Sequence, residues 1–180
     1  MKPDKQQLQE AEYIIYPNFW KNILLSLGCL IFAIIGILQL LAGKNDFIAW
    51  ACILFFGIGG IYIIALSLHN YFQHIPAVII YKDRVERCTP TKNNHIVYFK
   101  DVERFRLENV SSSKQIIIDY KPEVLENRFN SASIFKKSIL QFNQNKVGGI
   151  ESIPVDNLQI KPAEISKLLD QQIHRYNDSN

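Results

Sequence analysis

The chain has 180 residues, 48% hydrophobic and 21% charged, with 20 basic against 17 acidic side chains and a net charge of +3. A balance this near to neutral, with no continuous basic stripe interleaved with aromatics, argues against a nucleic-acid binder. Three cysteines, Cys29, Cys52 and Cys88, show no C-x-x-C spacing and are read as small apolar residues.

The mean hydropathy of −0.01 averages two materials, since residues 23–68 are almost wholly apolar and the rest is polar and charged. Two domains are implied. The leading segment, residues 1–22, is polar and carries Lys2, Asp4, Lys5, Glu10, Glu12 and Lys21. With no small-x-small cleavage site after the first apolar run, that run is expected to be retained rather than removed as a signal peptide.

Two uncharged runs follow, Ile23 to Ala42 and Phe47 to Leu68, separated only by Gly43-Lys44-Asn45-Asp46. A hydrocarbon core about 30 Å thick needs roughly 20 helical residues, so each run is expected to cross a bilayer, the two forming an antiparallel hairpin. The roughly 105 residues that come after could not enclose two helices that are apolar all round. Positive residues flank the hairpin at Lys2, Lys5 and Lys21 before it and at Lys82, Arg84 and Arg87 after it, while the turn has Lys44 alone beside Asp46. Both ends are therefore expected on the cytoplasmic side of a bacterial inner membrane.

Small side chains recur at helical spacing, with Ser26, Cys29, Ala33 and Gly36 on the first run and Ala49, Cys52 and Gly60 on the second. Small residues let helix backbones approach closely in lipid, so these positions are expected to pack one span on the other, or one hairpin on another copy. Gln39 is the one long polar side chain in either run, which argues against a transporter or proton path. Trp20, Trp50, Tyr62, Tyr71 and Phe72 include candidates for interface anchors.

Pro76 marks a helix boundary, and extended patterns follow. Ala77–Tyr81 leads into Lys82–Arg87, as a hairpin or as one long bent strand, with turn chemistry at Lys82-Asp83. Ile96–Phe99 and Val102–Leu107 come next, then Gln115–Tyr120. Phe105 and Leu107 alternate with Arg104 and Arg106, which predicts a sheet with one face packed and one solvated. Pro122–Phe129 reads as a short helix. A second is expected beyond Ser131, with Ile134, Phe135, Ile139 and Phe142 on one side and Lys136 and Lys137 on the other, ended by Gly148-Gly149. Ile150–Ile160 reads as extended. A terminal helix opens at Pro162-Ala163-Glu164, and its apolar residues Ile165, Leu168, Leu169, Ile173 and Tyr176 should lie on a sheet. The fold class is therefore α+β: a transmembrane hairpin, then an antiparallel sheet or partial barrel over residues 76–180 with a C-terminal helix.

With the apolar pair and its short turn, Pro76-Ala77-Val78-Ile79-Ile80, the Tyr98-Phe99-Lys100-Asp101-Val102-Glu103-Arg104-Phe105 step, Pro122-Glu123, Asn143 and Gly149-Ile150-Glu151-Ser152-Ile153-Pro154-Val155, the chain resembles a family of small bacterial inner-membrane proteins. These join a two-helix hairpin to a bacterial pleckstrin-homology-like domain. The likeness covers nearly the full length but departs at Lys146-Val147-Gly148-Gly149, where a shorter aromatic-glycine turn is expected. It implies a fold and a location, and no catalytic residue.

No catalytic or metal grouping is legible. His69 and His74 are five apart, not the three or four that would put two ligands on one helix face, and His95 and His174 stand alone. Ser111-Ser112-Ser113 reads as a loop, and Gly148-Gly149 lacks the Lys-Ser/Thr step of a phosphate cradle. No enzyme, metal or cofactor is expected. Beyond residue 72, sixteen basic residues face thirteen acidic ones. Lys82, Arg84, Arg87, Lys136 and Lys137 are the candidates for contact with lipid head groups or a partner. Three functions fit: a membrane-anchored binding module for a protein or lipid, an immunity protein neutralising a cognate toxin, and a structural subunit of a membrane complex.

Overall fold

The computed structural model describes residues 9–43, 47–89 and 94–179. The expected turn residues Lys44, Asn45 and Asp46, and also Lys2, Asp4 and Lys5, lie outside the described residues. The chain divides into two compact units. One is Asn18–Ile75; the other joins Met1–Pro17 to Pro76–Asn180.

The first unit is a pair of helices, α1 (Phe19–Leu41) and α2 (Phe47–Phe72), of 23 and 26 residues, each long and apolar enough to cross a membrane. Both outrun the expected spans at residues 23–42 and 47–68. The start of α1 is set by Asn18, whose side chain accepts from the Lys21 N–H at 3.2 Å and so satisfies one of the free donors of the first turn. Between Cys52 and Ile58, α2 widens into a π-helical stretch. Phe56 of that stretch stacks on Phe32 of α1, centroids 5.0 Å apart. At the other end of the pair the Phe19 and Tyr71 rings approach to 4.6 Å.

Among the described residues the second unit has seven strands in two antiparallel sheets. β1 (Tyr13–Ile15), β2 (Val78–Ile80), β3 (Arg84–Arg87) and β4 (His95–Tyr98) are ordered as numbered. So are β5 (Val102–Val110), β6 (Ser113–Tyr120) and β7 (Glu151–Pro154). Helices α3 (Pro122–Asn130) and α4 (Ile134–Val147) fall between β6 and β7, and α5 (Pro162–Asp178) ends the fold. The segment before the hairpin, read from sequence as a separate stretch, supplies β1. Ile15 pairs with Val78, and the Ala77 N–H donates to the Ile15 carbonyl at 2.8 Å. The Gln159 N–H donates to the Tyr16 carbonyl at 3.0 Å, tying the same segment to the chain beyond β7. The helix pair is thus the connection between two neighbouring strands.

One core serves both sheets and α5. Val78, Ile80, Val85 and Val97 come from the first sheet, Phe105, Ile116, Ile118 and Ile153 from the second, and Ile165, Leu169 and Ile173 from the helix. α5 lies on β5 and β6, as its three- and four-residue apolar spacing requires. The expected turn at Lys82-Asp83 makes β2 and β3 a tight hairpin, Ile80 pairing with Val85. Ser111, at φ 58°, makes the turn between β5 and β6. Gly148, at φ +73°, closes α4, and its N–H donates to the Gln144 carbonyl.

Candidate functional site

The small residues named in the two apolar runs are brought together within the helix pair. Ser26, Ala33, Gly36, Ala49 and Gly60 are buried, while Cys29 and Cys52 are half-buried. A Cβ added at Gly36 would lie 2.8 Å from the Ala49 carbonyl oxygen, and one at Gly60 would lie 3.2 Å from the Cys29 Cβ. The Ser26 hydroxyl donates to the Gly60 carbonyl at 2.7 Å. Contact within one hairpin consumes this face, and Leu, Ile and Phe side chains occupy the opposite ones.

The basic candidates lie on separate elements. Lys82 is exposed in the β2–β3 turn, at the mouth of a cleft of about 540 Å³ that also touches Glu12, Gln172, Arg175 and Tyr176. In that cleft Glu12 accepts from Gln172 and lies 3.6 Å from Arg175. Arg84 is already engaged, its Nη1 3.0 and 3.2 Å from the two Asp83 oxygens and its guanidinium 4.2 Å over the Tyr81 ring. Arg87 is half-buried at the far end of β3, opposite His95.

Lys136 and Lys137 are on α4, which carries an arrangement not foreseen from its pattern. An amphipathic stretch ordinarily turns its apolar face inward. Here only Leu140 is buried; Ile134 is 88% exposed, Phe135 78% and Phe142 62%. The helix is set this way round by Leu140 and by Asn143, whose Nδ2 donates to the Ile150 carbonyl at 3.2 Å. The Ser133 hydroxyl caps its start by accepting from the Lys136 N–H at 3.4 Å.

Sequence reading missed two polar groupings. On the outer face of β5 and β6, Asp119 accepts from Arg104 Nε at 2.8 Å and from Arg106 Nε at 2.6 Å on one oxygen, and from Arg106 Nη2 at 3.0 Å on the other. Burial opposes ionisation of Asp119, but the two guanidinium groups outweigh it and hold the carboxyl below its ordinary range. These residues line a cleft of about 310 Å³ with Tyr120, Leu125 and Gly148. The second grouping centres on Glu151 of β7. One carboxylate oxygen lies 2.9 Å from Arg128 Nη1; the other accepts from the Tyr120 hydroxyl and lies 3.3 Å from His95 Nε2. The Arg128 guanidinium stacks 4.2 Å over the Tyr120 ring. Burial pushes Glu151 up, but His95, Tyr120 and Arg128 together pull it down to about 2. Burial and the Glu151 charge push the Tyr120 hydroxyl far above its usual range.

Chemically these groups neutralise one another. A carboxylate with a pKa near 2 and donors on both oxygens is a weak proton acceptor, and proton transfer favours a base whose pKa lies near the working pH. Among the described residues no three His, Cys, Asp or Glu side chains converge as metal ligands. The alternation of Arg104 and Arg106 was visible in the sequence; that Asp119 lies opposite depends on the register of β5 on β6. No protein-family model matches the chain, and no significant similarity to a curated protein or a solved structure was found.

Proposed function

We propose that this protein is a membrane-anchored, non-catalytic binding module, in which the helix pair spans the bacterial inner membrane and holds a pleckstrin-homology-like domain at its cytoplasmic face. One observation carries the reading. The connection between two adjacent strands of a folded domain consists of two apolar helices that spend their small residues on each other and leave Leu, Ile and Phe outward. In water such a surface would be a large exposed apolar patch, whereas in lipid it is the expected exterior.

The domain assignment draws support from the short antiparallel strands, four in one sheet and three in the other, followed by a terminal helix that packs on them. Lys21 in the first turn of α1, with Lys2 and Lys5 earlier in the sequence, and Lys82, Arg84 and Arg87 after the pair favour cytoplasmic ends. The pairing of Ile15 with Val78 supports placing both ends on one side, since the strands flanking the two helices are neighbours. The mutual saturation of the Glu151 and Asp119 groupings favours binding over catalysis. The partner is a protein or the lipid surface.

Membrane fractionation with an alkaline wash, joined to reporters at the C-terminus and in the turn after Gly43, tests the anchor. Retention in the membrane with a cytoplasmic C-terminal reporter is expected; release into the wash, or an exported C-terminal reporter, sinks the reading. Capture from detergent extracts by the native chain, and its loss when Lys82, Arg87, Lys136 and Lys137 are reversed in charge, tests the binding role.

A further inference from the structure

We propose that α4 is an interfacial helix, lying in the head-group layer of an anionic bilayer with Ile134, Phe135, Ile139 and Phe142 among the acyl chains. The proposal rests on the membrane-anchored reading above and names the surface that the domain engages.

The geometry is that of a helix docked on its own domain by one side only. Leu140 is buried and Asn143 bonds the Ile150 carbonyl, which turns the opposite face outward. Phe135, Ile139 and Phe142 follow one another at four and three residue steps, and all three are exposed. Ile139 is 45% exposed, and Ile134 and the two phenylalanines are more open still. Four large apolar side chains projecting from one short helix are more than isolated surface residues, and contiguous apolar surface of this kind marks an interaction site.

Charge decides the occupant. The sequence of α4, IFKKSILQFNQNKV, holds Lys136, Lys137 and Lys146 and no acidic residue, whereas α3 and α5 both carry glutamates. Lys146 borders the apolar stripe and Lys136 and Lys137 lie on the side away from it, the division of an interfacial helix whose basic polar side faces anionic head groups while long stems let the ammonium groups reach the phosphates. The chain's own apolar helices bring a bilayer to the domain and raise its effective concentration there, so a short helix need not bind membranes tightly by itself.

The test uses the full chain, with Cys29, Cys52 and Cys88 replaced by alanine, reconstituted in phosphatidylcholine vesicles with and without phosphatidylglycerol. Spin labels are placed singly through F135C, F142C, Q141C and, in α1, I34C. With phosphatidylglycerol present, labels at 135 and 142 are expected to be shielded from a nickel chelate and reached by oxygen, while the label at 141 stays open to the chelate. Reversing Lys136, Lys137 and Lys146 to glutamate should reduce that shielding about tenfold or more. If the labels at 135 and 142 are fully open to the chelate while the label at 34 is in lipid, the interfacial helix is refuted and the anchored reading stands. A label at 34 that is itself in water refutes the anchor. Spin–spin broadening at 135 or 142 would show that a second copy covers the face, and that also overturns the proposal.

Discussion

The Ser26 hydroxyl of α1 donates to the Gly60 carbonyl of α2 across 2.7 Å, at a point where the absence of a glycine side chain lets the two backbones close on each other. A serine in a helix usually bonds back to its own preceding turn; here it crosses to its neighbour.

Ser26→Ala should weaken the helix pair by about 1 kcal/mol. Gly36→Ala should weaken it by about 1–3 kcal/mol, because the new methyl meets the Ala49 backbone oxygen, which cannot rotate away. Titration of the purified protein in mild detergent with sodium dodecyl sulfate, followed by circular dichroism, measures both. An unchanged midpoint for Gly36→Ala contradicts the packing.

Glu151 makes folding sensitive to acid. Its carboxyl titrates at about 2 against an ordinary 4.5, so the folded state favours the charged form. The resulting stabilisation is fully present above about pH 4.5 and is lost as the pH falls toward 2, about 3 kcal/mol in all. Glu151→Gln should therefore be destabilised near neutrality and approach the native chain at low pH. Denaturant unfolding at pH 7 and pH 3 is the measurement; a gap that does not narrow argues against the carboxylate.

Two adjacent glycines should fail for different reasons. A Cβ at Gly149 would lie 2.3 Å from Ile117 Cγ2, on a β-branched side chain that is fully buried, so Gly149→Ala is expected to cost about 1–3 kcal/mol by overlap. At Gly148 the obstacle is the left-handed backbone, at φ +73°. Gly148→Ala should cost about 1 kcal/mol and Gly148→Asn less, as asparagine tolerates that conformation. Thermal unfolding of the three variants would separate the causes, and equal losses for alanine and asparagine at 148 would speak against strain.

Asp119 should matter more than either of its arginines. Arg104 is 65% exposed and its removal is expected to cost under about 1 kcal/mol. Asp119→Asn removes the carboxylate that both guanidinium groups share, leaving Arg106 to Glu108, and should cost about 1–3 kcal/mol. A double-mutant cycle between positions 106 and 119 would expose the coupling, and additive losses would deny it.

Cys88 should alkylate slowly. Burial, reinforced by the Glu86 charge, pushes its thiol up to about 11, so the reactive thiolate at pH 8 is about two orders of magnitude scarcer than for a free cysteine. Iodoacetamide kinetics on a chain retaining only this cysteine would show it, and a rate matching free cysteine would disprove the burial.

The apolar runs, the strands from Val78 to Tyr120 and the helix opening at Pro162 were legible because each is a repeat of apolar residues within one continuous stretch, and such periodicity needs no partner to be seen. Tertiary structure decided what depends on distant partners. Tyr13-Ile14-Ile15 is too short to announce itself as a strand and becomes one only by pairing with β2, beyond the hairpin. The three residues that meet at Glu151 of β7 come from β4, β6 and α3. The same holds for α4: its amphipathic spacing showed that a helix would form, but not which side would turn inward, because that was set by Leu140 and by a hydrogen bond from Asn143 to a residue beyond the helix.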